Sequence, residues 1–172
     1  MILIHTALLC EAQSFIEHYK LKKTNSSPKI YKNETLLVCI SGIGAEKTDL
    51  ALEYIYENYS IHKAFNIGIA GCNNRTISIG SLYCTNHILD GIDSLPLITS
   101  DTVVTKSLEK KTTLYDMEAQ YFLEKSLKYL EKKNIYIFKI VSDYLSKEIL
   151  SKDYIKRLIT KQNNLHKFIQ LN

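Results

Sequence analysis

The chain opens on an almost unbroken apolar run, MILIHTALL, and the pattern then changes period. In EAQSFIEHYK the residues Ala12, Phe15, Ile16 and Tyr19 recur three or four positions apart, a spacing that lays them along one face of a helix. A strand over residues 2–9 followed by a helix is predicted. KKTNSSPK reads as a loop, and KIYKNETLLVCIS holds two apolar stretches separated by Asn33 and Glu34, the composition of two strands joined by a tight turn. The second stretch runs into SGIG, which opens a helix through Glu57 with Leu50, Ala51, Tyr54 and Ile55 on one face. KAFNIGIAG is then a strand that again ends in glycine. SIGSLYC and PLITSDTVV are shorter strand candidates, and MEAQYFLEKSLKYLEKK has the periodicity of an amphipathic helix. NIYIFKIVSD is apolar enough for a strand covered on both sides, and the tail over 146–172 is predicted to be helical.

Strands that alternate with helices imply a layered α/β architecture, and the lack of a linker or repeat implies one domain over 1–172. Such sheets take ligands at the carboxyl ends of their strands, where this chain gathers glycines and polar residues. With 172 residues, 45% of them apolar, and only 6 Gly and 2 Pro, the composition allows one sizeable core and excludes disordered and collagen-like classes. The net charge of +4 sits in the lysine-rich tail, and the rest of the chain is neutral. That is the pattern of a solvated helix face; a nucleic-acid binder would carry a basic stripe interleaved with aromatics, so no nucleic-acid partner is expected. No run approaches the roughly 18 apolar residues of a membrane span. The first residues lack the basic segment and small-residue cleavage site of a signal peptide, and bulky Leu9 disfavours a lipid anchor on Cys10. Cys10, Cys39, Cys72 and Cys84 form no CxxC and no metal-ligand spacing with histidine, so neither a metal nor a cofactor is expected. Cys39 within LLVCIS reads as a small buried hydrophobe in a reducing cytoplasm.

GIGAEK at 42–47 invites a phosphate-cradle reading, yet Lys47 replaces the third glycine of GxGxxG and Glu46 stands where a Walker loop needs glycine. It fails both fingerprints, and a tight turn whose glycines permit close packing is the expected reading. The five histidines are scattered, and no serine lies in a GxSxG elbow. The carboxylates are more informative: Glu11 follows the first strand, Glu118 opens a helix and Asp143 ends the last strand. Half-buried at the mouth of a sheet, such groups can divide into an acid and a base. Each also has a plain structural explanation, as a helix-terminus charge for Glu11 and Glu118 and as a cap of the final helix for Asp143.

Six short words decide between these. ALLCEA around Glu11, SGIG at 41–44, NIGIAG at 66–71, SIGS at 78–81, DMEA at 116–119 and IVSD at 140–143 stand in the order found in nucleoside phosphorylases and hydrolases. The chain resembles the branch with methylthioadenosine/S-adenosylhomocysteine nucleosidase and futalosine hydrolase, from Ile2 to about Leu145. The resemblance implies a three-layer sandwich with a central mixed sheet flanked by helices, a homodimer, and cleavage of the N-glycosidic bond of a purine nucleoside. It implies Glu11 as the base that activates water and Glu118 as the ligand of the ribose hydroxyls, with Met117 beneath the sugar. Asp143 is implied as the acid that protonates the purine, oriented by Ser142, and Gly71 and Val103 as further substrate contacts. A cationic sugar needs nearby negative charge and a poor leaving group needs a proton, so carboxylates of opposite protonation suit this chemistry.

Phosphate recognition favours arginine's fork, and the chain has only Arg75 and Arg157, neither at a matching place. Water is thus the expected nucleophile, with phosphorolysis open as an alternative. Val103 stands where the family has an aromatic residue against the base, Ile69 and Ser81 replace a hydroxyl and an aspartate, and the stretch from Ser81 to Asp116 is short. These departures keep a shortened relative that binds nucleoside or base without cleaving it as the other alternative.

Overall fold

The computed structural model describes residues 1–170. In chain order the elements are β1 (Ile2–Thr6), α1 (Leu9–His18), β2 (Lys22–Lys23), β3 (Lys29–Lys32), β4 (Leu36–Ile40), α2 (Ala45–Asn58), β5 (Lys63–Cys72), β6 (Leu82–Cys84), β7 (Leu97–Thr99), β8 (Leu114–Asp116), α3 (Ala119–Ser126), β9 (Ile135–Asp143), α4 (Lys152–Thr160) and α5 (Asn163–Gln170). All nine strands join one mixed sheet. β1, β4, β5 and β9 are mutually parallel neighbours at its centre, and β3 extends it antiparallel beyond β4.

Alternation along the central strands sorts their side chains to two faces. Ile4, Val38, Phe65 and Phe138 point to one, where they pack with Phe15 of α1, Ile155 and Leu158 of α4, and Leu165 of α5. Their sequence neighbours Leu3, Leu37, Ala64 and Ile137 point to the other, against Ala51, Leu52 and Ile55 of α2 and Phe122 of α3. The molecule is therefore the expected three-layer sandwich. Each large apolar side chain so buried contributes roughly 1.5–3 kcal/mol, and the polar residues these strands also bury, His5, Asn66 and Lys139 among them, each have a polar partner.

β5 is the longest strand and the one that shapes the site. Along one edge it pairs β9 from Ala64 to Gly71. Along the other it pairs β1 only from Lys63 to Asn66, and then β8, antiparallel, at Gly71 and Cys72. Between β1 and β8 this edge has a gap, at the carboxyl ends of the parallel strands.

Several elements differ from the sequence prediction. β1 stops at Thr6 rather than continuing to residue 9, because the backbone N–H groups of Ala7 and Leu8 turn to donate to Glu11 and the helix starts at Leu9. On α2, Leu50 is 59% exposed and Leu52 is buried, so the covered face is Thr48, Ala51, Leu52 and Ile55. The strand in PLITSDTVV ends at Thr99, and the polar stretch before DMEA holds a strand, β8, that no periodicity announced. α3 ends at Ser126 instead of running through residue 133; beyond it Leu127 and Tyr129 are about half exposed, and a 3-10 turn at Lys132–Asn134 leads into β9. The predicted helix over 146–172 is two helices: residues 146–150 line the cavity described below, and Ser151 caps α4 by accepting from the Tyr154 N–H at 3.2 Å. Leu171 and Asn172 lie outside the described residues. All four cysteines are buried and unpaired, as Cys39's apolar setting predicted.

Candidate active site

A cavity of about 310 Å³ opens at the gap in the β5 edge. Glu11, Met117, Glu118, Ser142 and Asp143 line it, together with Gly71 and Val103. All seven candidate residues, drawn from five separate stretches of chain, thus face one space. Its remaining wall is largely apolar, from Leu8, Ile43, Ile69, Leu145 and Ile155.

Glu11 is the third residue of α1 and only 3% exposed. Its Oε2 accepts from the N–H groups of Ala7 at 3.1 Å and Leu8 at 2.9 Å, and its Oε1 accepts from the Ile69 N–H at 3.0 Å. It therefore caps its own helix and also closes the gap in the β5 edge by satisfying an N–H that no strand reaches. Burial pushes its carboxyl above the ordinary value, and the three N–H bonds and Lys139 oppose that shift. Gly68 leaves room for this carboxylate: a Cβ on it would lie 2.9 Å from Glu11 Oε1 and 3.6 Å from Lys139 Nζ.

Glu118 stands at the start of α3, but the capping belongs to Asp116, whose Oδ2 accepts from the Ala119 N–H at 2.8 Å. The Glu118 Oε1 instead accepts from the N–H of Gly44, at 2.9 Å. Gly42 and Gly44 both have φ of 95°, a left-handed conformation that glycine adopts without the Cβ penalty. The glycine turn thus serves to aim a backbone donor at a carboxylate; no phosphate cradle is needed to explain it. Burial raises the Glu118 carboxyl to about 7, against the opposing effects of Lys139 and the Gly44 N–H.

Lys139, on β9 and 1% exposed, places Nζ 2.7 Å from Asp116 Oδ2. Asp116 Oδ1 also accepts from the Thr99 hydroxyl at 2.6 Å. One buried ammonium is thus surrounded by Asp116, Glu11 and Glu118. Sequence reasoning assigns neither Lys139 nor Asp116 a role, although Asp116 opens the DMEA word; the available signal was a lysine in the middle of an otherwise apolar strand, which must find a buried partner.

Asp143, at the end of β9, is partly exposed. Its Oδ2 accepts from the Ser142 hydroxyl at 2.7 Å and its Oδ1 from the Ser146 N–H at 3.0 Å. It does not cap the final helix, a task that falls to Ser151. A Cβ on Gly71 would stand 3.3 Å from Asp143 Oδ1, so that glycine makes room for the carboxylate. Val103 lies in the loop beyond β7, 63% exposed. Among the described residues no group of three or more His, Cys, Asp and Glu is arranged to hold a metal ion. No helix there is long and apolar enough to cross a membrane.

No protein-family model matches the chain, and no curated protein sequence does. Solved structures do. The methylthioadenosine/S-adenosylhomocysteine nucleosidase of Helicobacter pylori superposes with a TM-score of 0.83 at 13% identity, covering 99% of this chain and 98% of that one. Futalosine hydrolase of Helicobacter pylori strain 26695 gives 0.83 at 14% identity, with 99% and 97% covered. The chain shares the fold of these two hydrolases. The Campylobacter jejuni nucleosidase extends the comparison, at 0.78 and 15% identity with 99% of each chain covered. One Helicobacter pylori nucleosidase structure holds 5′-methylthioadenosine in its active site. Within this fold, the cavity at the gap between β1 and β8 is the place where the present chain concentrates its buried carboxylates.

Proposed function

We propose that the protein is a metal-free purine-nucleoside N-ribohydrolase, with Glu11 as base, Glu118 as ribose ligand and Asp143 as acid. The observation that carries this reading is the convergence of these three carboxylates, each from a different element, on one cavity. Three backbone N–H groups occupy Glu11, and a carboxylate has about four acceptor sites, so one remains for a water. Held in one orientation, that oxygen takes the water's proton as attack on the sugar begins. Glu118 uses Oε1 on Gly44, which leaves Oε2 for the 2′- and 3′-hydroxyls, with Met117 under the sugar face. Charge that builds on the ribosyl centre meets fixed negative charge in an apolar enclosure. Asp143, oriented by Ser142, gives its proton to the purine ring nitrogen so that the base leaves neutral.

Water is favoured over phosphate because no arginine is among the residues lining the cavity, where Lys147 is the one basic side chain at the mouth. The exposed Val103 favours a second reading, a module that holds a nucleoside without cleaving it, since it offers no aromatic face to a base. Four unpaired cysteines and the resemblance to homodimeric hydrolases support a cytoplasmic homodimer. The deciding experiment incubates the protein with methylthioadenosine, S-adenosylhomocysteine, adenosine, inosine and futalosine, with and without phosphate, and quantifies released base. Release without phosphate is expected, and Asp143→Asn should lower it by about 10²-fold or more. Release only with phosphate identifies a phosphorylase, and tight binding without product the non-catalytic module.

A further inference from the structure

His5 is wholly buried on β1, in register with Cys39 of β4 and Asn66 of β5. Its Nδ1 lies 2.8 Å from Asn66 Nδ2 and its Nε2 lies 2.9 Å from the Ser41 hydroxyl. An amide nitrogen only donates, so Nδ1 is the bare nitrogen and the proton sits on Nε2. The Ser41 hydroxyl accepts that proton's hydrogen bond and passes its own to the Gly42 carbonyl at 2.8 Å. Two residues further along the same turn, the Gly44 N–H holds Glu118. On its other flank the imidazole stacks on Phe122, with ring centres 5.4 Å apart. Phe122 lies in the first turn of α3, where its N–H donates to the Glu118 carbonyl at 2.9 Å.

His5 therefore touches both supports of Glu118, the glycine turn through Ser41 and the helix through Phe122. We propose that His5 is a positioning residue that fixes the Gly44–Glu118 hydrogen bond, and that it acts as a neutral imidazole protonated on Nε2. An aliphatic side chain could fill the same volume, but it would take the Nε2 donor from the Ser41 hydroxyl and leave the buried Asn66 Nδ2 without its acceptor. The ring is not a switch: burial and the nearby Lys139 lower its pKa to about 3, with Asp116 opposing, so it stays uncharged through the physiological range. Its effect on turnover rests on the reading of Glu118 as ribose ligand; its effect on the turn does not.

Two readouts keep those apart. The first follows the Gly44 amide resonance by ¹H–¹⁵N NMR as pH is raised through the Glu118 transition near 7. The second compares kcat and KM for a ribonucleoside and its 2′-deoxy analogue. His5→Phe keeps the ring against Phe122 and loses both polar contacts; Ser41→Ala is a milder variant that cuts only the link to the turn. Both should lose most of the pH-dependent shift at Gly44, while His5→Gln, whose amide can still donate to Ser41, should retain it. KM for the ribonucleoside should rise about tenfold or more, the loss of one hydrogen bond to a charged group, with kcat changed less and the preference over the 2′-deoxy analogue reduced to match. Folded variants in which Gly44 titrates as in the wild type would overturn the proposal. If Gly44 loses its response but the wild type never preferred the ribonucleoside, positioning by His5 stands and the ribose role of Glu118 falls.

Discussion

Glu11 sits where a carboxylate is costly to bury, and three backbone N–H groups make it tolerable while leaving it one orientation. Gly68 is what permits that arrangement. Gly68→Ala faces no backbone penalty, since its φ lies outside the left-handed region, but the new methyl would displace Oε1. With Glu11 as the proposed base, its displacement lowers kcat/KM by up to about 10²-fold, the cost of a misplacement of about 1 Å. Steady-state kinetics alongside circular dichroism should show this loss with secondary structure intact; wild-type kcat/KM would mean that Glu11 needs no such clearance. The three carboxylates were legible because each falls where an element begins or ends. The pairing of Lys139 with Asp116 was not, because periodicity treats IYIFKIVSD as an apolar strand and the DMEA word assigns its first residue no partner. What exposes them is the demand of a buried charge for a partner, which becomes visible only when β9 and β8 are brought together on opposite edges of β5.

Among elements, β8 carries the largest share of what pattern could not reveal. It has three residues and pairs β5 over two positions, too short for an alternation to register. α3 was placed correctly at its start but not at its end, since the amphipathic spacing persists in sequence after Ser126 while the chain turns toward β9. The strand–helix order and both central layers were legible, because long buried strands and the α1 and α2 faces follow simple periods. The short connection between β8 and the rest of the sheet makes the Lys139–Asp116 pair its principal side-chain tie to β9. Lys139→Met leaves Asp116 buried without its cation, and breaking a buried pair in this way costs about 3–5 kcal/mol. Urea unfolding should record that loss; a change under about 1 kcal/mol would mean that the Thr99 hydroxyl and the α3 N–H groups suffice for Asp116.

For the whole molecule, two buried groups bias the pH dependence of stability in opposite senses. The Glu118 carboxyl is raised from 4.5 to about 7, so the folded state holds a proton that the unfolded chain releases, and stability falls as pH rises between those values. The His5 imidazole is lowered from 6.5 to about 3, so the unfolded chain takes up a proton that the folded state refuses, and stability rises with pH across that range. Between about pH 4.5 and 6.5 the two slopes oppose. Relative to wild type, His5→Phe should tilt the stability curve downward with increasing pH in that window, and Glu118→Gln should tilt it upward. Chemical denaturation at several pH values checks this, and curves parallel to wild type for both variants would contradict it.

The sheet's open margins have a further consequence. β2 presents two exposed lysines, and β6 and β7 are three residues each. A second chain seeking to add a strand would meet like charges at one margin and too few free backbone groups at the others to offset the entropy of docking. Continuous β-sheet growth between molecules is thereby discouraged, which favours colloidal stability, and any lasting association of two copies must be built from helix and loop surfaces.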